Sequence, residues 1–340
     1  MDILIIGGTR FLGYHLTKRL LEDGHQLTLF NRGKTPDDFG DQVIRIRGDR
    51  TNPDIFKKSL QGKSFDVVID MIAYKSEDSR VAVQTFSGNI GHFIHISTAA
   101  VYIVTKNYPC PLREEDYDRP LTEPSQSNPG LWEYGFHKRR CEEVLQTAFK
   151  EDSFPATIIR PPIIIGERDY TLRAYSYFVR LRDRKPLILP DSGMNVFTHV
   201  YQDDLVRPLS ANLKNKNSFG RAYNLAQPSG VTLKEFLQTA ARIMEKKPDF
   251  VSIPTDILED LGWDRATSPF SNRRPFILDI RKAQKELNYR PSYMETWLKK
   301  TIHWFEEEYT GEPPANYAHR EHEIKIVKAY RNAVQSIAGS

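Results

Sequence analysis

Near its start the chain reads Ile3-Leu4-Ile5-Ile6-Gly7-Gly8-Thr9-Arg10-Phe11-Leu12-Gly13, and few folds accommodate that order of residues. Consecutive aliphatic residues make a strand buried on both faces, the habit of parallel sheets. Leu12, Leu16, Leu20 and Leu21 then recur at helical spacing, and Gly24 supplies a C-cap. Strand, glycine turn and helix in direct succession place main-chain amides and the positive end of a helix dipole at the top of a strand, a site suited to a pyrophosphate. Gly7 can make the tight turn and Gly13 lets the helix approach the strand. Arg10 stands where a further glycine is usual, so its side chain must point away from the phosphates or contact the ligand itself.

The same rhythm continues. Residues 26–30, 43–46, 66–70, 92–97 and 156–160 are short apolar runs that read as strands, with helix-competent stretches between them. Strands alternating with helices imply parallel pairing and right-handed crossovers. The fold class expected is therefore α/β: a Rossmann-type doubly wound parallel sheet with a smaller C-terminal α+β substrate lobe. The sheet domain is expected to span 1–165, with 197–225 returning to it. The lobe would take 166–196 and 226–310, including amphipathic helices at 232–245 and 292–308. Residues 311–340 read as a polar tail, with a charged stretch after Pro313-Pro314 forming a surface helix.

Composition narrows the function classes. With 340 residues, 39% hydrophobic, and a net charge of +4, the chain can build a full core and is not disordered. No apolar run approaches the roughly 20 residues that span a bilayer, so no membrane partner is expected. The first residues run straight into a strand rather than a signal peptide. Two cysteines, Cys110 and Cys141, exclude a disulfide framework and point to a reducing cytoplasm. No basic run is interleaved with aromatics, which argues against nucleic acid. His319-Arg320-Glu321-His322-Glu323 has a metal-like look, but in a polar tail it reads as a solvated helix face, and no metal is expected.

The second strand ends at Phe30-Asn31-Arg32. An acidic residue there would accept from an adenosine ribose hydroxyl; Asn31 followed by Arg32, which can pair with a phosphate, favours NADP over NAD. Asp49, after the third strand, is placed to meet the adenine amino group, and Arg50 is counted with it. Downstream, a helix beginning near Leu131 carries Tyr134 and Lys138 at i, i+4, on one helical face. An ammonium beside a phenol stabilises the phenolate, making the tyrosine a usable acid or base nearer neutrality. The fifth strand ends at Ser97-Thr98, at the carboxyl edge where doubly wound sheets bind ligands. Thr98 is the first choice, and Ser97 the second, for the hydroxyl that holds the substrate oxygen.

Together these residues resemble the extended short-chain dehydrogenase/reductase superfamily, in its NAD-dependent epimerase/dehydratase branch. Arg160-Pro161-Pro162 through Gly166, Phe197-Thr198-His199-Val200 with Asp203-Asp204-Leu205, Tyr223-Asn224-Leu225, and Asp279 through Arg290-Pro291 match it in order, so the resemblance covers about residues 1–305. It implies hydride transfer on a nucleotide sugar or similar polyol, by epimerisation or net reduction, with Tyr134, Lys138 and Thr98 as the acid/base set. It also implies a homodimer, cofactor contacts from Gly7, Gly8, Thr9, Arg10, Phe11, Leu12 and Gly13, and further contacts from Ile72, Ala73 and Pro161. Asn195, Phe197, Asn224, Arg273 and Arg274 are the candidates for a substrate head group. Family dehydratases place an Asp-Glu pair after the threonine; Ala99-Ala100 here argues against 4,6-dehydration. The GGTRF form of the glycine turn also occurs in chloroplast stem-loop-binding proteins, so the rival reading is a catalytically inactive, RNA-binding protein on the same scaffold.

Overall fold

The computed structural model describes residues 1–125, 128–271 and 274–338, which divide into two compact units. Met1–Ile164, His199–Pro228 and Leu278–Pro291 form one; Ile165–Thr198, Ser229–Ile277 and Ser292–Ser340 form the other.

The first unit is built on a seven-stranded sheet. Its strands are β1 (Asp2–Ile6), β2 (Gln26–Asn31), β3 (Val43–Arg47), β4 (Phe65–Asp70), β5 (Ile90–Ile96), β6 (Ala156–Arg160) and the strand Arg221–Asn224. From one edge the order is Arg221–Asn224, β6, β5, β4, β1, β2, β3, and the strands pair in parallel. The chain moves outward from β1 to β3, then crosses back to place β4 on the other side of β1. That reversal leaves a crevice at the carboxyl ends of β1 and β4, where such sheets take ligands. Helices α1 (Leu12–Glu22), α2 (Pro53–Leu60), α3 (Ser76–Phe86) and α4 (Pro129–Asp152) follow the crossovers. Leu4, Ile6, Phe30, Phe56, Val68, Phe86, Phe93 and Leu145 share one buried cluster. Each such side chain contributes about 1.5–3 kcal/mol through burial.

The segment Leu278–Pro291 was expected in the second lobe and instead belongs to the sheet unit. Polar contacts explain this. Asn224 Nδ2 donates to the Asp279 carbonyl at 3.3 Å, Tyr289 donates to the Ala226 carbonyl at 2.9 Å, and Glu286 accepts from both Arg221 and Tyr223.

The second unit packs helices Arg173–Arg182, Leu233–Ile243 and Met294–Glu307 with two small strand pairs. Leu187–Pro190 pairs in parallel with Phe250–Ile253, and Val196–Phe197 pairs antiparallel with Val231–Thr232. The charged helix expected after Pro313-Pro314 is present as Arg320–Ala338, but its first half is inside the unit rather than on the surface. Ile326 and Val327 join Ile188, Val251 and Trp263 in a core cluster. Buried pairs hold the helix there: Arg180 to Glu323 at 2.6 Å and Arg320 to Asp183 at 2.7 Å. The charges that looked solvated therefore pair with charges far away in sequence.

Candidate functional site

The glycine turn folds as its residue types require. Gly7 and Gly8 have φ of 113° and 91°, which residues with a Cβ rarely adopt. A Cβ on Gly13 would lie 2.9 Å from the Gly8 Cα, so the first turn of α1 sits directly on the β1 end. Thr17 Oγ1 donates to the Gly8 carbonyl at 2.9 Å and fixes that approach. The strain falls at Phe11 rather than at Arg10: Phe11 caps α1 with φ 44° and ψ −118°, while its ring is buried. A non-glycine residue in such a region costs about 1–3 kcal/mol and tends to occur at ligand-binding turns. Arg10 is exposed and Thr9 half-buried; Leu12 packs inward.

At the end of β2, Asn31 Oδ1 accepts from the Gly33 amide at 2.9 Å and from Arg47 Nη1, while Asn31 Nδ2 reaches the Gly7 carbonyl at 3.4 Å. Arg47 was not among the expected site residues, yet parallel pairing sets it opposite Asn31. Arg32 stands 3.9 Å from Asp49, both largely exposed. Asp49 accepts from the amide and the hydroxyl of Thr51, which holds its carboxyl below the usual range. Arg50 is not on this surface. It is 4% exposed, pairs with Asp70 at 2.8 Å and donates to the Asp78 carbonyl at 2.5 Å. The placement corrects the expectation of a cofactor contact: a buried carboxylate, Asp70, draws the guanidinium inward.

Asp70, the last residue of β4, also shapes the loop beyond it. Its Oδ1 accepts from the amides of Ile72 at 3.1 Å and Ala73 at 3.0 Å. The Ile72 side chain is left exposed, while Ala73 is buried.

Asn128 caps α4 by accepting from the Leu131 amide at 3.2 Å, with Pro129 in the first turn. Tyr134 is partly exposed on this helix, and Lys138, one turn on, is buried. Lys138 Nζ donates to the Ala73 carbonyl at 2.8 Å and to the Ile96 carbonyl at 2.7 Å. Burial lowers its pKa, while Cys141, Asp70, Glu142 and Asp78 pull the other way. The Cys141 thiol is pushed up to about 11 by burial, which leaves it inert. Gly135 is a second residue that spacing alone did not single out. A Cβ there would collide with the Ala100 carbonyl, so α4 rests directly on the turn Ala99–Tyr102.

Two residues past β5, Thr98 caps the turn Ala99–Tyr102 with extended φ/ψ, and its Oγ1 accepts from the Ala100 amide at 3.2 Å. The Ala99 amide donates to the carbonyl of buried Pro161 at 2.8 Å, which seats this turn on the end of β6. Ser97, the second choice for substrate contact, turns inward and donates to Glu142. Glu142 in turn pairs with Arg160 at 2.6 Å, Arg160 donates to Tyr102 at 2.8 Å, and Tyr102 donates to Asn224 Oδ1 at 2.7 Å. Asn224 is fully buried and its amide nitrogen bonds the Leu112 and Asp279 carbonyls, so this network, rather than a substrate, occupies its side chain. Sequence reasoning passed over Glu142 because one charge on a long helix gives no pattern.

In the second unit Phe197 is buried and stacks on Phe270 at 4.9 Å, a core position that corrects the substrate-contact expectation. Asn195 is half-buried and Arg274 exposed; Arg273 lies outside the described residues. No cluster of metal-binding side chains occurs among the described residues, and no helix among them is long and apolar enough to cross a membrane.

Residues 3–226 match the model of the NAD dependent epimerase/dehydratase family. The chain belongs to that family. It is 28% identical over 306 residues to the chloroplast stem-loop binding protein of 41 kDa b of Arabidopsis thaliana, covering 86% of this chain and 75% of that protein. It is 23% identical over 334 residues to the UDP-glucose 4-epimerase of Lactobacillus helveticus, covering 86% and 93%. Among solved structures, the UDP-glucose 4-epimerase of Thermotoga maritima with UDP-glucose aligns over 90% of this chain and 99% of its own, with a TM-score of 0.71 and 19% identity. The UDP-glucuronic acid 4-epimerase of Bacillus cereus in complex with NAD aligns over 92% and 99%, at 0.68 and 22%. These structural likenesses carry the Rossmann-type fold of the family to this chain.

Proposed function

We propose that this family member is an NAD(P)-dependent epimerase or reductase that works on a nucleotide sugar or similar polyol. The observation that carries the reading is Lys138. A buried ammonium is expensive unless it is bonded, and here the Ala73 carbonyl in the loop after β4 and the Ile96 carbonyl at the end of β5 receive it at 2.8 and 2.7 Å. An ammonium has three donors, so one remains for a ligand hydroxyl such as a ribose. Tyr134 lies one helical turn away, and Thr98 lies two residues beyond the end of β5.

The residues present fit a dinucleotide. The turn at Gly7, Gly8 and Gly13 leaves no room for added carbon at Gly13, and Ile72 offers an exposed apolar face beyond β4. When bound, the dinucleotide supplies the hydride acceptor and donor. Tyr134 removes or returns the proton of the substrate hydroxyl, Lys138 favours its phenolate, and Thr98 holds the same oxygen. Asn31, Arg32 and Arg47 support NADP over NAD, because an amide and two guanidiniums stand where a carboxylate would repel a phosphate. With Ala99 and Ala100 buried after Thr98, the site lacks the carboxylates of a 4,6-dehydratase.

The reading places the enzyme in a reducing cytoplasm as a homodimer. Sedimentation tests the assembly. The activity test begins with a thermal-shift screen of NAD, NADP and nucleotide sugars on the full chain, followed by turnover with the sugar that binds. Tyr134→Phe should keep the fold and lose turnover by at least about 100-fold; full turnover in that variant refutes the mechanism. The likeness to a stem-loop binding protein favours one rival, RNA binding without catalysis. Salt-sensitive RNA retention with no nicotinamide binding would support that rival instead.

A further inference from the structure

The loop between β4 and α3 carries an aromatic side chain that the core does not use. Tyr74 and Tyr134 are each 37% exposed. Their rings nevertheless lie face to face, with centroids 5.9 Å apart and planes 18° from parallel. His137, on the same helix as Tyr134, closes on Tyr74 at 5.3 Å.

The main chain beneath Tyr74 is braced on both sides. Asp78 Oδ2 accepts from the amides of Tyr74 at 2.8 Å and Lys75 at 2.9 Å. Asp70 holds the amides of Ile72 and Ala73, and the Ala73 carbonyl receives Lys138. The ammonium of α4 thus ties down the residue just before the ring that stacks on the tyrosine of α4. Loop and helix are locked through Lys138, and the stack sits on that lock.

We propose that Tyr74 is a positioning residue for Tyr134, holding the phenol in one orientation by face-to-face contact. The proposal rests on the acid/base reading of Tyr134 given above. Burial, with Glu133 adding to it, pushes the Tyr74 phenol above its ordinary range, so Tyr74 stays protonated and does not compete as a base. Stacking of this kind biases ring orientation about 2- to 10-fold, enough to matter for a proton transfer that needs one geometry.

The test needs no substrate. The full chain is prepared with tyrosine labelled at 13Cζ and saturated with NADP, and the Tyr134 and Tyr74 resonances are assigned from Tyr134→Phe and Tyr74→Phe. In Tyr74→Phe, which keeps the ring, the Tyr134 resonance and its titration midpoint should stay in place. In Tyr74→Ala the resonance should move and the midpoint should shift to higher pH, as the phenol loses its fixed relation to Lys138. Tyr74→Leu, which keeps bulk without a ring, should behave like the alanine variant and serves if that variant does not fold. An unchanged Tyr134 resonance and midpoint in the alanine and leucine variants overturns the proposal, and so does an equal change in Tyr74→Phe. If wild-type Tyr134 titrates as a free phenol does, the acid/base reading fails on its own. The resonance positions in the alanine and leucine variants still decide whether Tyr74 holds the ring.

Discussion

Replacing Glu142 by glutamine tests how the site is held together. Glu142 is fully buried and Arg160 is 1% exposed. The carboxylate takes Arg160 Nη2 at 2.6 Å, Nε at 3.1 and 3.2 Å, and the Ser97 hydroxyl. Glutamine keeps the shape but removes the charge. Arg160 then keeps a neutral amide oxygen, the Tyr102 hydroxyl, the Glu114 carbonyl and the faces of the Tyr102 and Tyr117 rings, but a buried cation loses its counter-ion. Breaking a buried pair in this way costs about 3–5 kcal/mol, because desolvation of the remaining charge is no longer offset. The exposed pair Arg242–Glu295, also at 2.6 Å, is the control; solvent screens it, so Glu295→Gln should leave the midpoint almost unmoved. Urea unfolding, with the midpoint shift read at unchanged slope, measures both. Glu142→Leu combined with Arg160→Met should recover much of the loss, since removing both charges removes the uncompensated one. A Glu142→Gln effect no larger than the surface control would refute the argument that this pair ties β5, β6 and α4 together.

Gly135→Ala should destabilise by about 1–3 kcal/mol, because its Cβ meets the Ala100 carbonyl, whereas Gly130→Ala, with open space around it, should stabilise α4 by up to about 1 kcal/mol; thermal melts compare the two. Stability should fall as pH drops below about 6.5. Burial lowers His92 to about 4 and His199 to about 3, and holds His95 well below its ordinary value. The unfolded chain therefore takes up protons that the folded chain refuses; His92 and His199 should each remove about 1.5–2 kcal/mol between pH 6.5 and 5, and His95 acts in the same direction. His95→Leu should flatten that slope; an unchanged slope would count against it. Arg32→Ala and Arg47→Ala should each weaken the NADP thermal shift and spare any shift with NAD, and equal losses for both cofactors would remove these arginines from phosphate recognition.

Periodicity and glycine placement made the sheet unit legible. An aliphatic β1, Leu12 to Leu20 on one face, and Gly7 and Gly13 at fixed offsets leave little choice, because each is a local steric demand. Lys138 was legible for a similar reason, since helical spacing alone puts it beside Tyr134. What was not legible depends on pairing across the chain. Arg50 reads as a loop charge until Asp70 is known to lie 2.8 Å away, and Asn224 reads as a free amide until Tyr102 reaches it. The helix after Arg320 reads as solvated until Arg180 and Asp183 are placed against it. Such partners are more than a hundred residues distant in several cases, and no window along the sequence contains them.

The interleaving of the two units has a consequence for how the chain comes to be made. The sheet unit closes only with Leu278–Pro291, and the second unit only with Ile326 and Val327. During synthesis at about 5–20 residues per second, β1 to β6 emerge long before the segments that finish either unit. Nascent chains must therefore wait, with apolar surface uncovered, until those later segments have emerged. Severing the chain anywhere between His199 and Ile277 should yield two fragments, neither of which holds a finished core, because Leu278–Pro291 is then parted from the first unit and Ile165–Thr198 from the second.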